Sequence, residues 1–171
     1  MSIYPMMEQI RECEQFDERP VDAELVQTLL EEAVWAPNHH LREPWRFIWV
    51  AKDYRGKLEE TLDLSTQSEI RAQIRQAPVC LIVAAPIPQD AREAKDDFSA
   101  ACCLIQNLQI LASASGLGMN WYLPLQQESE IFCSAAGLQA NERIAGVLGL
   151  GYFRGDNIKE SDNTSVRIDI R

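Results

Sequence analysis

From Asp22 the chain repeats an apolar stripe: Leu25, Val26, Leu29, Leu30, Ala33 and Val34 recur at the spacing of one helix face, with Asp22 where an N-cap belongs. Pro37 and Asn38 end that helix. The stretch Arg46–Ala51 (RFIWVA) is rich in aromatic and β-branched residues and predicts a strand, followed by a helix over Tyr54–Leu64. A polar stretch, Ser65–Ser68, separates it from a short helix ending before Pro78.

Val79–Ala85 (VCLIVAA) is an unbroken apolar run between Pro78 and Pro86, the pattern of a strand covered on both faces and therefore central in its sheet. Asp96–Ser115 predicts the longest helix, with Phe98, Ala101, Cys102, Ile105, Leu108 and Ala112 on its buried face and Gly116 as its stop. Its apolar positions are too many for a surface helix. Met119–Leu123 predicts a short strand, Ser129–Ala136 a short helix closed by Gly137, and Ile144–Phe153 a strand interrupted by glycines. Beyond Gly155 the chain is polar. Helices and strands alternate without repeat or linker, so residues 1–171 read as one α+β or α/β domain.

Composition narrows the function classes. With 171 residues, 46% hydrophobic and 25% charged, the chain can bury a core without disulfides or metals. A formal net charge of −10 argues against tracking nucleic-acid phosphates or an anionic membrane surface, both of which need a basic stripe. Five cysteines (Cys13, Cys80, Cys102, Cys103, Cys133) form an odd set without C-x-x-C spacing, and Cys80 and Cys102 sit in apolar runs. No basic-then-apolar leader and no long apolar run occurs, so the expected location is a reducing, cytoplasmic compartment with no membrane contact.

The motifs exclude more than they assign. Gly116-Leu117-Gly118 and Gly149-Leu150-Gly151 lack the third glycine and the strand-then-helix order of a dinucleotide turn. No nucleophile elbow, H-E-x-x-H pair or Walker sequence is present. The two histidines, His39 and His40, are adjacent and have no acidic or cysteine partner at ligand spacing, so no metal site is expected. A Cys-His nucleophile using Cys13, Cys102 or Cys103 stays open beside the favoured reading of structural thiols.

Trp35–Phe47 (WAPNHHLREPWRF) leaves a helix carrying two indoles, two imidazoles, two arginines and an amide between prolines. Such a loop can stack on a planar aromatic ligand and donate to its polar edge; it can equally be a packed surface turn.

At these residues the chain resembles the nitroreductase family. The matching features are Glu18–Asp22 ahead of the first helix, Ala36-Pro37-Asn38-His39, Pro44-Trp45-Arg46-Phe47, Ala77-Pro78, Ala100-Ala101, Ile105–Leu108, Gly116–Gly118 before Trp121, and Val147–Gly151. The resemblance implies an α+β fold on a mostly antiparallel central sheet flanked by helices. It also implies a homodimer that completes two FMN sites, and passage of hydride equivalents from NAD(P)H to a nitroaromatic, quinone or similar small-molecule acceptor in a ping-pong cycle. Flavin carries that chemistry and the protein orients it, so no catalytic side chain of the chain's own is required.

Carried over residue by residue, Trp35 and His39 match positions near flavin, with their loop reaching toward the partner subunit's site. Trp121, Tyr122 and Leu123 match the segment lining flavin from the other side. Ser113–Leu117 matches a region near the nicotinamide, although a plain helix C-cap accounts for it better. The departure is Ile10–Gln15 (IRECEQ): where the family carries R-R-S-x-R against the FMN phosphate, only Arg11 is retained, while Ile10, Glu12 and Glu14 replace the first arginine, the serine and the third basic residue. A unit charge pair at ~4 Å is worth about 4 kcal/mol at an effective dielectric near 20, so Glu12 facing the phosphate opposes binding strongly. Arg167 or Arg171 could offset it. The alternative reading is therefore a protein of the same fold that binds flavin weakly or not at all and serves as a ligand-binding or interaction protein.

Glu12→Ser combined with Glu14→Arg is expected to tighten FMN binding, an effect that shrinks as salt rises and that riboflavin, which has no phosphate, does not share. Titration of both ligands into both folded proteins checks it, and equal FMN affinities would show that these glutamates point elsewhere.

Overall fold

Asp22 accepts a hydrogen bond from the Glu24 N–H at 3.0 Å and so starts the first helix, α1 (Ala23–Ala33), as its sequence position suggested. The computed structural model describes residues 15–62, 68–123, 130–153 and 168–169. Along them follow a single turn of 3-10 helix at His39–Leu41, β1 (Arg46–Trp49), α2 (Arg55–Glu59), α3 (Ser68–Gln76) and β2 (Val79–Pro86). Then come α4 (Ala91–Ala114), β3 (Gly118–Tyr122), α5 (Glu130–Ala135) and β4 (Glu142–Gly151).

The strands form one sheet in the order β1-β2-β4-β3, with every pairing antiparallel. The fold is thus α+β, as expected, and the VCLIVAA run lies inside the sheet with Val79–Ala85 buried throughout. Alternation along β2 feeds two cores. Val79, Leu81, Val83 and Ala85 face one core, shared with α1 and α4, while Cys80 and Ile82 face the other, shared with α2, α3 and α5. A strand covered on both faces keeps no polar side, and its sequence therefore shows no polar alternation.

Several boundaries moved for tertiary reasons. The long helix begins at Ala91 rather than Asp96, because Asp90 caps it by accepting from the Glu93 N–H at 2.8 Å and Arg42 pairs with its acidic first turns. Conversely, α2 stops at Glu59: Arg71, from the next helix, donates to the carbonyls of Glu59 (3.2 Å) and Leu62 (3.3 Å) as the chain turns. At the end of α4, Gly116 adopts φ +76°, a left-handed conformation that ends the helix where the sequence placed its stop. Strand β4 runs from Glu142 to Gly151, and Phe153 instead forms an isolated bridge to Phe16.

Cys80 is fully buried, and burial pushes its thiol pKa up to about 11, with the nearby Arg55 charge opposing that shift. Cys102 and Cys133 are partly buried and Cys103 is exposed; none of these four cysteines is in a disulfide. Among the described residues no helix is long and apolar enough to cross a membrane.

One close approach lies in the second core. The buried Gln73 side chain lies over Gly149, and its Oε1 accepts from Asn120 Nδ2 at 3.3 Å. A Cβ on Gly149 would stand 1.5 Å from Gln73 Nε2 and 2.9 Å from the Ala77 Cβ. Gly149→Ala is therefore expected to destabilise the chain by about 1–3 kcal/mol in urea unfolding, and by less in a Gln73→Ala background that removes the nearer obstacle. An unchanged midpoint for the single variant would contradict this packing.

Candidate functional site

The segment that leaves α1 turns its chemistry outward. Ala36 is buried and anchors it, whereas Trp35 is 86% exposed, Leu41 84% exposed, and His39 and His40 lie on the surface with ring centroids 3.9 Å apart. Three non-glycine residues here have left-handed backbones: His40 (φ 55°), Leu41 (φ 52°) and Glu43 (φ 48°). Each such residue costs on the order of 1 kcal/mol, so the surrounding structure has to hold the loop.

Two side chains do so. Asn38 closes the turn by donating to the Ala36 carbonyl at 3.2 Å and accepting from the Glu43 N–H at 3.0 Å. Arg42 reaches the start of α4, where it pairs with Glu93 and, at 2.5 Å, with Asp97, whose side chain is only 5% exposed. Asn38 was legible as the helix end, whereas the Arg42 brace was not. The available signal was Asp97 itself, a carboxylate beside Phe98 and Ala101 on the buried side of the long helix.

At the other edge of the sheet, β3 carries Trp121 and Tyr122 and leads into Leu123. The register jumps from Val83↔Gly146 to Ala84↔Ile144, which makes Ala145 the extra residue of a bulge in β4. The freed Ala145 carbonyl accepts a hydrogen bond from Trp121 Nε1 at 3.1 Å. Gly146 lets the indole lie across the strand, since a Cβ there would come within 2.5 Å of Trp121 Nε1. Trp121 packs on the core that holds α4, Tyr122 packs on the opposite core, and Leu123 is 54% exposed. Of these three, Leu123 has the freest surface.

Strand directions relate the two segments. β1 starts, β2 ends, β4 starts and β3 ends at the same end of the sheet, so the 35–45 loop and Leu123 share that end. The strands they adjoin, β1 and β3, are the two edges of the sheet, three strand spacings or about 14 Å apart. Arg11 and Glu12 lie outside the described residues, as do Ile10, Glu14, Arg167 and Arg171. Ser113–Leu117 forms the C-terminal cap of α4, with the Leu117 N–H bonded to the Ala112 carbonyl at 2.9 Å and Leu117 buried. Among the described residues no three His, Cys, Asp or Glu side chains gather as metal ligands would.

Where the loop enters β1, Arg46 grips Glu142 with two nitrogens, Nε to Oε1 at 2.9 Å and Nη2 to Oε2 at 2.5 Å, and also reaches the Gly137 carbonyl at 2.9 Å. The pair fastens the loop end to the start of β4. Its bidentate hydrogen bond raises the Arg46 pKa and holds the Glu142 carboxyl below its ordinary value.

The sequence profile described as "Nitroreductase family" matches residues 9–152. "Putative NAD(P)H nitroreductase YfhC" of Bacillus subtilis (strain 168) is 32% identical over 155 residues, 83% of this chain and 79% of that protein. A nitroreductase-like family protein from Bacillus cereus superposes with a TM-score of 0.85 at 26% identity, covering 97% of this chain and 92% of its own. A protein from Desulfovibrio desulfuricans, solved in complex with FMN, gives a TM-score of 0.78 at 22% identity over 96% of this chain and 92% of that one.

Because the folded-state pKa of Glu142 is depressed, its contribution is complete above the unfolded value near 4.5 and is lost as pH falls through the lower folded value. Glu142→Gln is expected to lower stability by about 1 kcal/mol at pH 7, a modest figure because Arg46 is partly exposed. The difference from the parent should narrow below pH ~4.5, as chemical unfolding across that range will show.

Proposed function

The chain belongs to the nitroreductase family, and on that premise we propose that it is an FMN-dependent oxidoreductase that takes hydride equivalents from NAD(P)H and passes them to a nitroaromatic, quinone or similar acceptor. It works as a homodimer. The observation that carries this reading is the braced loop whose indole, imidazoles and Leu41 face away from their own core. A loop held against backbone strain while presenting Trp35 and Leu41 to water fits a surface that a second copy covers.

The ring end of an FMN site suits the residues present. Exposed aromatic side chains at 35–40 and the apolar end of β3 at Leu123 are chemically matched to a flat, partly apolar ring. Their attachment to opposite edge strands, β1 and β3, favours a site that takes the loop of one protomer and the β3 end of its partner. FMN, when bound, supplies the two-electron hydride chemistry, alternately accepting and donating in the ping-pong order. The chain's own part is to orient the ring: Trp35 and His39 from one side, and Tyr122 and Leu123 from the other. Trp121, tied to Ala145, fixes the course of that strand. Arg11 answers the phosphate, with Glu12 beside it in sequence.

A second reading rests on that last feature. Ile10, Glu12 and Glu14 in place of phosphate-gripping residues favour a family member with weak or absent flavin, acting as a ligand-binding or interaction protein.

The purified protein is expected to be yellow, to release FMN on denaturation, and to scatter light as a dimer at micromolar concentration. His39→Ala should keep its fold but lose roughly tenfold in FMN affinity. Colourless protein that takes up no added FMN would select the second reading, and a monomeric mass would remove the two-chain site.

A further inference from the structure

A cavity of about 800 Å³ opens at the end of the sheet opposite the 35–45 loop, between the Phe16–Val21 segment and the region where β1 ends and α2 begins. Its size is that of a small-molecule pocket. Apolar walls come from Phe16, Val21, Trp49, Pro78 and Val79. Trp49 is 45% exposed, so one part of its indole is open to an occupant.

The charges on the walls divide into committed and uncommitted groups. Asp17 holds Arg19 by hydrogen bonds of 2.6 and 2.7 Å to its N–H and Nε, and the Arg19 guanidinium lies 4.3 Å from the centre of the Tyr152 ring. Buried Glu59 receives both Arg71 (3.0 Å) and Arg75 (3.1 Å from Nε to Oε2). Glu18 is exposed. Two cations on the cavity lack a carboxylate within 4.0 Å among the described residues: Lys52, which is exposed, and Arg55, which is 6% exposed.

Arg55 is the unusual one. Its guanidinium donates to the carbonyls of Val50 (3.4 Å), Ala77 (2.5 Å) and Pro78 (3.2 Å), which are neutral acceptors, and these take three of its five N–H groups. Its positive charge is buried and is not paired with any described carboxylate, and burial lowers its pKa. In a chain of net charge −10, such a cation beside a cavity runs against the overall balance. Trp49, Lys52 and Arg55 sit on one turn, joined by the backbone bond from the Arg55 N–H to the Lys52 carbonyl at 3.4 Å.

We propose that this cavity is a second ligand site, separate from the flavin site, that binds a planar aromatic carboxylate with its ring against Trp49 and its carboxylate between Lys52 and Arg55. Trp49 supplies a stacking face, Lys52 an adjustable point charge, and Arg55 a pre-positioned fork. With Asp17 and Glu59 paired to arginines, exposed Glu18 is the carboxylate on the described walls left to repel the ligand's own.

The test titrates 2-naphthoate into the full-length protein, with and without saturating FMN, following tryptophan fluorescence and calorimetry. Expected are saturable quenching, a dissociation constant unchanged by FMN, and binding at least roughly tenfold weaker for the neutral 2-naphthamide. Lys52→Glu, at an exposed position, should keep its fold and weaken 2-naphthoate by a similar factor; Trp49→Phe should abolish the quenching while calorimetry still detects heat. Binding absent up to about 10 mM would overturn the proposal. So would amide and carboxylate binding equally, indifference to Lys52→Glu, or 2-naphthoate displaced by FMN, which would place it in the flavin site.

Discussion

Two neighbouring strands, β2 and β4, have both faces buried, and this constraint organises the rest of the chain. Water-free surfaces on each side need a layer of helices, so α1 and α4 close one face and α2, α3 and α5 the other. The edge strands β1 and β3 complete the backbone pairing, and the loops that carry polar and aromatic chemistry are left to the ends of the sheet. Among the described residues, every side chain given a functional part sits at or near one of those ends. The interior supplies rigidity rather than reactivity, as the burial of Cys80 illustrates.

Rigidity also explains how strain can persist at the surface. Left-handed backbone at His40, Leu41 and Glu43 would relax in an isolated loop. Here Asn38 ties the turn to itself, Arg42 ties it to buried Asp97, and Arg46 fastens its end to Glu142. Two of these three anchors are arginine–carboxylate contacts across more than fifty residues of sequence. The same residue type works at Arg55 without a carboxylate among the described residues, where backbone carbonyls hold the guanidinium in place. Arginine thus fixes both ends of the sheet, by charge pairing at one and by carbonyl capture at the other.

Much of this was legible in the chain. The 3.6-residue stripe of α1, the cap at Asp22, the stop at Gly116 and the unbroken VCLIVAA run each specify an element through local physics, while segments such as Ala36–His39 and Pro44–Phe47 carry the family resemblance that the comparisons support. The outward candidates of that segment, Trp35 and His39, were also readable, because a loop between prolines with indoles and imidazoles has no periodic core face to join. Boundaries were less so. The acidic first turns of α4 read as loop until Arg42 arrives to neutralise them.

The sequence by itself determined which stretches are helix or strand, that the central strand is doubly covered, and which loop gathers indoles and imidazoles, since all three follow from neighbours within a few turns. Only the tertiary structure decided the rest. The Ala145 bulge that ties down Trp121, the Arg42–Asp97 brace, the Gln73–Gly149 approach and the capture of Arg55 by the Ala77 and Pro78 carbonyls all depend on residues far apart in the chain. No local pattern announces a carbonyl left free by a register jump or a buried cation held by distant backbone carbonyls. Such features arise when the sheet's register and the helices' packing bring distant groups together, and a burial pattern read along the chain carries no information about which distant group will be there.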